Sequence, residues 1–258
     1  METFRKTVSK GSRFNQIYVP KHMENLIEVG DEVEVRLVRK QSQLHYSHGL
    51  KKLTPFKENV VKNVFSLVKE ADVCFIAIVG SFLTEKIDYN DIDVVLITSK
   101  TDHRLEDEAY GKLIENINLK FHVLAIEEKK FWDLLKVCPL TRSMFSRFIC
   151  NHPLVLPPEK AVDERHLRFL LMMPYDMLEI DLRGRAFFDS IRRLITIERF
   201  LRNQSLEGAS INKELKRLVK EHTYNMMRSN ERLEKSALEF LRGIIKTKLG
   251  TIEELMRD

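Results

Sequence analysis

Three mainly apolar runs in the first half of the chain predict buried β-strands. They cover residues 73–79, 94–97 and 119–126, and short runs of this kind are typical of buried strands. Residues 104–116 lie between the second and third runs and predict a helix. This order predicts an α/β domain, a mixed sheet with flanking helices, over residues 50–158.

The N-terminal residues show a different pattern and predict a small β module over residues 1–45. Residues 14–19 are interpreted as a short strand, and a short helical turn is predicted to begin at Pro20. In residues 33–37 valine and leucine alternate with glutamate and arginine, which predicts a strand with one apolar face. Such a module is too small to be stable alone. Residues 41–54 lack periodicity and are interpreted as a linker.

The remaining segments predict helices. One helix begins at Pro55, and two more are predicted over residues 127–137 and 139–149. The double proline at 157–158 marks a predicted domain boundary. Residues 159–258 are interpreted as a helix bundle, because apolar side chains recur there at helical spacing. Its three long helices are predicted over residues 185–203, 211–228 and 231–249.

A glycine corner and two aspartates form the main candidate site. The first apolar run ends at Gly80 and Ser81, and after nine further residues Asp91 and Asp93 open the second run. Residues two apart in a strand point to the same face, so both carboxylates are expected to lie together beside the glycine. Such carboxylates suit Mg²⁺ carrying a triphosphate, because Mg²⁺ prefers oxygen ligands and retains phosphates as partners.

This order of strand, Gly-Ser, nine residues and Asp-x-Asp resembles the nucleotidyltransferases of the DNA polymerase beta superfamily, in particular the minimal, kanamycin-nucleotidyltransferase-like members. Their pattern is G-[GS]-x(9–13)-D-h-[DE], where h is apolar. The resemblance implies a nucleotidyltransferase fold in which Gly80 and Ser81 bind the nucleotide. It also implies that Asp91 and Asp93 are the catalytic Mg²⁺ ligands. The alternative is a solvated strand end without a ligand.

The third carboxylate of that family is missing from its expected place. His122 in the third apolar run stands where the family has Asp or Glu. In two-metal transfer this carboxylate activates the attacking hydroxyl, and a histidine accepts protons but is a poor ligand for Mg²⁺. Three interpretations stay open: the register is shifted, a neighbour such as Glu127 substitutes, or the domain binds nucleotides with little transfer. A histidine inside an apolar strand is commonly a packed residue.

The N-terminal module resembles the AbrB/MazE/SpoVT swapped-hairpin family. The matching motifs are I-x-V-P-K at residues 17–21 and V-G-D-x-V-x-V at residues 29–35. In that family two chains interleave their hairpins into one dimeric barrel that usually binds DNA, so the resemblance implies a homodimer with DNA as a partner. The candidate nucleic-acid-binding residues are Lys6, Lys10, Arg13 and Lys21. The alternative is a β-meander that only dimerises or docks on the catalytic domain.

One pattern in the bundle resembles the HEPN ribonucleases. Arg217, His222 and Tyr224 have their R-x4-H-x-Y spacing. At about 100° per residue, Arg217 and His222 lie about 140° apart on an unbroken helix. His222 also shares the apolar face, so it is expected to be a core or interface histidine unless the helix breaks there. The bundle is expected to cover the nucleotide cleft, and its candidate phosphate ligands are Arg192, Arg193 and Arg199.

Composition and charge narrow the class of protein. The 258 residues are 43% hydrophobic and carry a net charge of +5. The whole surplus lies in residues 1–57, which hold 11 basic and 6 acidic residues, and a basic module suits a phosphate backbone. No apolar run approaches the roughly 20 residues of a membrane span, and the N-terminus has no apolar signal region. Three widely spaced cysteines favour a reducing cytoplasm.

Besides an RNA-cleaving helical domain with Arg217 and His222, which the resemblance to the HEPN ribonucleases implies, two functional hypotheses follow from these patterns. The first is a cytoplasmic, homodimeric, Mg²⁺-dependent nucleotidyltransferase that moves NMP from an NTP to an acceptor hydroxyl. The second is a DNA-binding regulator whose nucleotidyltransferase fold has lost its catalytic activity and acts as a sensor or scaffold.

Overall fold

The computed structural model describes the chain in five stretches and divides it into two compact units. The units are residues 1–40 and residues 41–258. The described residues are 6–23, 25–35, 43–85, 89–102 and 104–257. Within these stretches, no helix combines the length and the apolar character needed to cross a membrane.

The first unit contains a two-stranded hairpin and a short helical turn. Strand β1 (Ser9–Lys10) pairs antiparallel with strand β2 (Asn15–Gln16). A 3₁₀ turn covers Lys21–Met23, which confirms the helical turn predicted after Pro20.

Two strand predictions for this unit need correction. Only residues 15 and 16 of the predicted 14–19 strand pair with a neighbour. Residues 31–35 adopt no regular structure, and the rest of the strand predicted over 33–37 lies outside the described residues. Short strands are stable only when their hydrophobic face is covered, and among the described residues of this unit only Met23 is buried.

A five-stranded mixed sheet lies at the centre of the second unit. Its strands are β3 (His45–Tyr46), β4 (Val73–Val79), β5 (Ile92–Thr98), β6 (Phe121–Glu127) and β7 (Phe148–Cys150). Their order across the sheet is β3-β7-β4-β5-β6. The central strand β4 is antiparallel to both β7 and β5, whereas β6 is parallel to β5. The predicted bounds of β4 are confirmed.

Nine helices accompany the sheet in the described part of this unit. They are α1 (Pro55–Leu67), α2 (Arg104–Asn116), α3 (Glu128–Val137), α4 (Pro139–Met144), α5 (Glu164–Asp176), α6 (Gly184–Leu201), α7 (Gly208–Val219), α8 (Glu221–Arg228) and α9 (Lys235–Leu255). The helices predicted from Pro55, over 104–116 and over 127–137 are therefore confirmed to within one residue at the predicted ends.

Buried side chains cover both faces of the sheet. Ile76 and Ile78 of β4 join a core that includes residues of α1 and α2. Phe75 and Ala77 point to the other face and join a core that includes Phe131 of α3. Because β4 is buried on both sides, its sequence shows no alternation of apolar and polar residues.

Helix α6 is the centre of the helical part. It packs against α4, α5, α7, α8 and α9, and most of its buried apolar side chains belong to one hydrophobic core. Helix α5, which begins at Glu164, precedes the three long helices that the sequence predicts for residues 159–258.

Two predictions for the sheet region are wrong. Residues 45 and 46, which belong to the predicted linker, form β3 and pair with β7. The helix predicted over 139–149 ends at Met144, and Phe148–Cys150 instead pairs with β4. In both cases a strand of two or three residues exists because a distant partner supplies its hydrogen bonds.

The single helix predicted over 211–228 is also wrong. Lys220 separates α7 from α8, and its φ of 65° lies in the left-handed region, which a continuous helix does not allow. The break leaves His222 exposed in the first turn of α8, so the core position expected for an unbroken helix does not apply. Tyr224 instead packs on the Phe188 ring, with 5.7 Å between the ring centroids.

Candidate functional site

Gly80 ends β4 in a backbone conformation that is almost exclusive to glycine. Its φ is 82° and its ψ is −158°. A Cβ atom built on Gly80 would lie 2.1 Å from Oδ2 of Asp93. The carboxylate therefore occupies the space that a side chain would need, and the structure brings Gly80 and Asp93 into direct contact.

The two aspartates lie at the start of β5. Asp91 directly precedes the strand, and Asp93 pairs in register with Val79, the residue before Gly80. Ile92 between them is fully buried, whereas both aspartates are only partly buried. The strand alternation therefore separates the apolar residue from the two acidic ones.

The electrostatics of this corner favour a cation. The pKa of Asp93 is raised above its usual value, chiefly because burial disfavours the ionised carboxylate. The negative charge of Asp91 raises it further, so the two carboxylates interact, and the hydrogen bond with His122 opposes the rise. A divalent cation held between the carboxylates would remove this repulsion.

His122 lies directly beside Asp93. The two residues are register partners in the parallel pair of β5 and β6, and Nδ1 of His122 lies 3.2 Å from Oδ1 of Asp93. The His122 side chain is 65% exposed, so its interpretation as a packed residue is wrong. The idea of a shifted register is also wrong, because His122 occupies the strand position next to Asp93.

Glu127 lies at the opposite end of the strands and does not reach the two aspartates. It pairs with Thr98 at the opposite end of β5, about 16 Å along β6 from His122 at roughly 3.3 Å per residue. Its carboxylate accepts a hydrogen bond from Thr101 and forms an ion pair with Lys130. The interpretation that Glu127 replaces the missing carboxylate is therefore wrong.

A buried lysine fixes the turn that follows Gly80. Ser81 is exposed and opens a 3₁₀ turn that ends at Leu83. Nζ of Lys57 donates hydrogen bonds to the carbonyl oxygens of Phe82 and Thr84, each at 2.8 Å. Lys57 is only 7% exposed, and this burial lowers its pKa. Lys57 was not among the predicted site residues, although it lies on the buried face of α1.

The donor set fits a Mg²⁺ ion that is bound together with a nucleotide. Among the described residues, no three His, Cys, Asp or Glu side chains are grouped to hold a metal by themselves. Asp91 and Asp93 supply carboxylate oxygens, and Mg²⁺ commonly combines one or two carboxylates with substrate phosphates and water. The imidazole of His122 is a nitrogen donor, which Mg²⁺ does not favour.

The candidate nucleic-acid-binding residues belong to the first unit. Lys10 ends β1, Arg13 lies in the turn between β1 and β2, and both are exposed. The amide of Gly11 donates to the carbonyl of Phe14 at 3.0 Å and closes this turn. The structure therefore brings Lys10 and Arg13 onto one hairpin. Lys21 is exposed at the start of the 3₁₀ turn, and Lys6 is exposed ahead of β1.

The three arginines expected to bind phosphates have different surroundings. Arg193 donates from Nη1 to the carbonyl of Leu170 at 3.2 Å, and burial lowers the pKa of Arg192. Arg199 lies beside a polar cleft between α6 and α7 and pairs with Glu214 at 2.9 Å. Of these three arginines, Arg199 is the one that lines this cleft.

The candidate site thus consists of Gly80, the carboxylates of Asp91 and Asp93, and the exposed imidazole of His122, which lie together where strands of the sheet end. No protein-family model matches the chain, and no curated protein matches it.

Proposed function

We propose that this protein is a Mg²⁺-dependent nucleotidyltransferase that transfers NMP from an NTP to an acceptor hydroxyl. The observation that carries the proposal is the contact between Gly80 and the Asp93 carboxylate, with Asp91 and His122 beside it. A mixed sheet with helices on both faces agrees with the nucleotidyltransferase fold that the motif resembles.

Each residue of the site has a distinct role in this proposal. Gly80 has no side chain and so leaves room for the Asp93 carboxylate, its backbone contacts the nucleotide, and the exposed hydroxyl of Ser81 donates to a phosphate oxygen. Asp91 and Asp93 hold Mg²⁺, which supplies charge neutralisation for the phosphates when it is bound. Lys57 keeps the turn after Gly80 in place through two carbonyl oxygens.

His122 is the proposed proton acceptor. The acceptor oxygen forms a bond to the α-phosphorus, the bond from that phosphorus to the β-phosphate oxygen breaks, and pyrophosphate leaves. With Nδ1 of His122 held against Asp93, the lone pair of Nε2 is free to take the hydroxyl proton. Histidine commonly performs this step near neutral pH.

Transfer of a labelled nucleotide tests the proposal. The full chain is incubated with Mg²⁺, each α-labelled NTP and a mixture of RNA and protein acceptors. We expect Asp93→Asn and Asp91→Asn to lower transfer by about 100-fold or more, because each removes a carboxylate ligand of the Mg²⁺ that would neutralise the phosphates. The matched control is Asp133→Asn, an exposed aspartate on α3. Absence of labelled product from the wild-type protein would refute the enzymatic proposal.

Substitution of His122 tests the proton step separately. We expect His122→Ala to lower kcat by roughly 100-fold while the KM for the NTP changes little, because the triphosphate is bound elsewhere. His122→Asp restores a carboxylate beside Asp93 and is expected to recover transfer with Mg²⁺. An unchanged kcat for His122→Ala would exclude His122 as the proton acceptor.

A second candidate function is DNA binding by the first unit. It is favoured by the exposed cations Lys10 and Arg13 on one hairpin and by Lys21 nearby in sequence. Substituting all three by Gln in the full chain should reduce the slope of log K against log salt for duplex DNA by about 3. The matched control replaces three exposed lysines of the second unit, Lys129, Lys136 and Lys246. An unchanged slope would place DNA binding outside the first unit.

A further inference from the structure

A polar cleft of about 540 Å³ lies between the C-terminal end of α6 and helix α7. Its walls carry six charged side chains together with one glutamine and one serine. The charged side chains are Glu198, Arg199, Arg202, Lys213, Glu214 and Arg217. Of these side chains, Arg199 is a predicted phosphate ligand and Arg217 belongs to the HEPN-like pattern, so the sequence does not predict a shared site.

Both carboxylates of the cleft are already paired. Glu198 lies 3.1 Å from Arg202 and 2.6 Å from Lys248. Glu214 lies 2.9 Å from Arg199 and 3.2 Å from Lys248. Two negative charges are thus shared among three cations, and the carboxylates have no remaining capacity to neutralise others.

Lys213 and Arg217 add positive charge that nothing nearby balances. Both side chains are exposed, and neither forms an ion pair within the described part of the chain. The four cations of the walls therefore face two carboxylates, which leaves two positive charges at this cleft, and Lys248, which pairs with both carboxylates, adds a third. A surplus of this kind attracts an anionic partner.

The composition of the walls limits what this partner is. No apolar or aromatic side chain lines the cleft, whereas sites for nucleotides and drug-like ligands are mainly apolar, and single-stranded bases stack on aromatic rings. Guanidinium and ammonium groups instead suit phosphate oxygens. The cleft therefore fits a chain of phosphates better than a single nucleotide.

One serine and two cations of α7 follow a line along the helix. Ser210, Lys213 and Arg217 are spaced at i, i+3 and i+7, so they share one face. At 1.5 Å per residue this row extends over about 10 Å. A row of this length suits successive phosphates along a backbone.

The segment just before α7 is bonded to residues close to the end of β4 where Gly80 lies. Arg147 pairs with Glu207 at 3.1 Å, and Ser143 Oγ donates to the carbonyl of Leu206 at 2.8 Å. Arg147 directly precedes Phe148, whose register partner on β4 is Val79. The beginning of α7 and the glycine corner are therefore connected through one pair of strands.

We propose that this cleft binds the sugar-phosphate backbone of a nucleic acid, independently of base sequence. That the bound strand also presents the acceptor hydroxyl rests on the proposed nucleotidyl transfer. The binding itself needs neither Mg²⁺ nor a nucleotide.

Fluorescence anisotropy of labelled RNA tests the cleft directly. The full chain is titrated, in EDTA and at several salt concentrations, with an RNA of roughly 20 nucleotides as a single strand and as a duplex. We expect Lys213→Gln with Arg217→Gln to weaken binding about 30-fold at 0.1 M salt and to reduce the slope of log K against log salt by about 1.5. The background carries Lys10→Gln, Arg13→Gln and Lys21→Gln, which removes the candidate contacts of the first unit.

The matched control removes two charges elsewhere in the helical part. Lys235 and Lys246 on α9 are exposed and form no ion pair within the described residues, and Lys235→Gln with Lys246→Gln should leave the slope unchanged. Equal effects of the two pairs would overturn the proposal, as would competition by inorganic tripolyphosphate that matches RNA at equal phosphate concentration. Asp93→Asn should bind RNA like the wild type, so lost transfer with retained binding separates the two proposals.

Discussion

At the scale of single residues, Gly80 has the strictest requirement in the candidate site. Gly80→Ala places a Cβ atom 2.1 Å from Oδ2 of Asp93 and puts alanine in a conformation almost exclusive to glycine. We expect the free energy of unfolding to fall by about 1–3 kcal/mol from backbone strain alone, and the Asp93 carboxylate to be displaced. Urea denaturation followed by circular dichroism measures the loss.

Gly111→Ala is the matched control for this prediction. Gly111 lies inside α2, and a Cβ built on it meets no atom within 4 Å. Alanine is the better helix former, so this substitution should raise the free energy of unfolding by roughly 0.5–1 kcal/mol. A loss of stability as large as that of Gly80→Ala would show that the effect is not specific to the site.

Asp93 is expected to lower stability at neutral pH. The pKa of Asp93 in the folded protein is raised above the ordinary value of 3.8, which applies to the unfolded chain. At pH values between the unfolded and the folded pKa, the folded state therefore binds more protons than the unfolded chain. Stability therefore falls as the pH rises through that window. We expect Asp93→Asn to unfold at higher urea than the wild type at pH 7, and the difference to disappear below pH 3.8. A less stable Asp93→Asn protein at pH 7 would mean that a partner stabilises the ionised carboxylate.

At the scale of elements, Lys57 joins α1 to the turn after β4. Lys57→Met keeps a long apolar stem but leaves the carbonyl oxygens of Phe82 and Thr84 without their donor. An unsatisfied buried polar group costs about 1–3 kcal/mol, so we expect the free energy of unfolding to fall by roughly 2–4 kcal/mol. Hydrogen exchange of the amides at residues 81–84 should become faster.

Lys62→Met provides the comparison on the same helix. Nζ of Lys62 lies 2.6 Å from Glu58, but both side chains are partly exposed, and a surface pair four residues apart contributes only about 0.3–0.5 kcal/mol. Its exchange pattern at residues 81–84 should match that of the wild type. If both substitutions change the turn equally, Lys57 has no specific role there.

The elements differ in how far the sequence alone determines them. The ends of β4 were predicted because residues 73–79 are apolar without interruption, and the last five of these seven residues are buried. Strand β7 was missed because Phe148–Cys150 has only three residues and exists through its pairing with β4. The break at Lys220 was missed because lysine carries no signal for a positive φ, unlike glycine.

The same distinction applies to the candidate site. Gly80 and Asp93 lie in contact because a short connection joins two neighbouring strands. A short sequence motif that contains both residues therefore predicts the contact. Lys57 was missed because its two carbonyl partners lie 25 and 27 residues away. The cleft was not predicted because it is formed by two helices, and the charges on one helix face do not reveal which helix packs beside it.

At the scale of the whole molecule, the two units differ in how much apolar surface they bury. The second unit contains three buried cores, whereas only Met23 is buried among the described residues of the first. The exposed apolar residues of the first unit include Val8, Phe14, Ile17, Tyr18, Val19, Leu26, Val29, Val33 and Val35. Exposed apolar residues at this density mark an interaction surface, and we propose that a second copy of the chain covers it.

The dimer is tested in the full chain by sedimentation and light scattering. We expect the wild type to have twice the chain mass of 30.4 kDa, and Val33→Asp with Val35→Asp to shift it to the monomer, because a charge on each exposed valine opposes burial at an interface. The comparison is Phe169→Asp, since Phe169 is a similarly exposed apolar residue on α5 of the second unit. A dimer that survives the valine substitutions and dissociates with Phe169→Asp would place the interface in the helical part. A wild type that stays monomeric at micromolar concentration would exclude self-association as the role of the first unit, and its exposed apolar residues would then need a different partner.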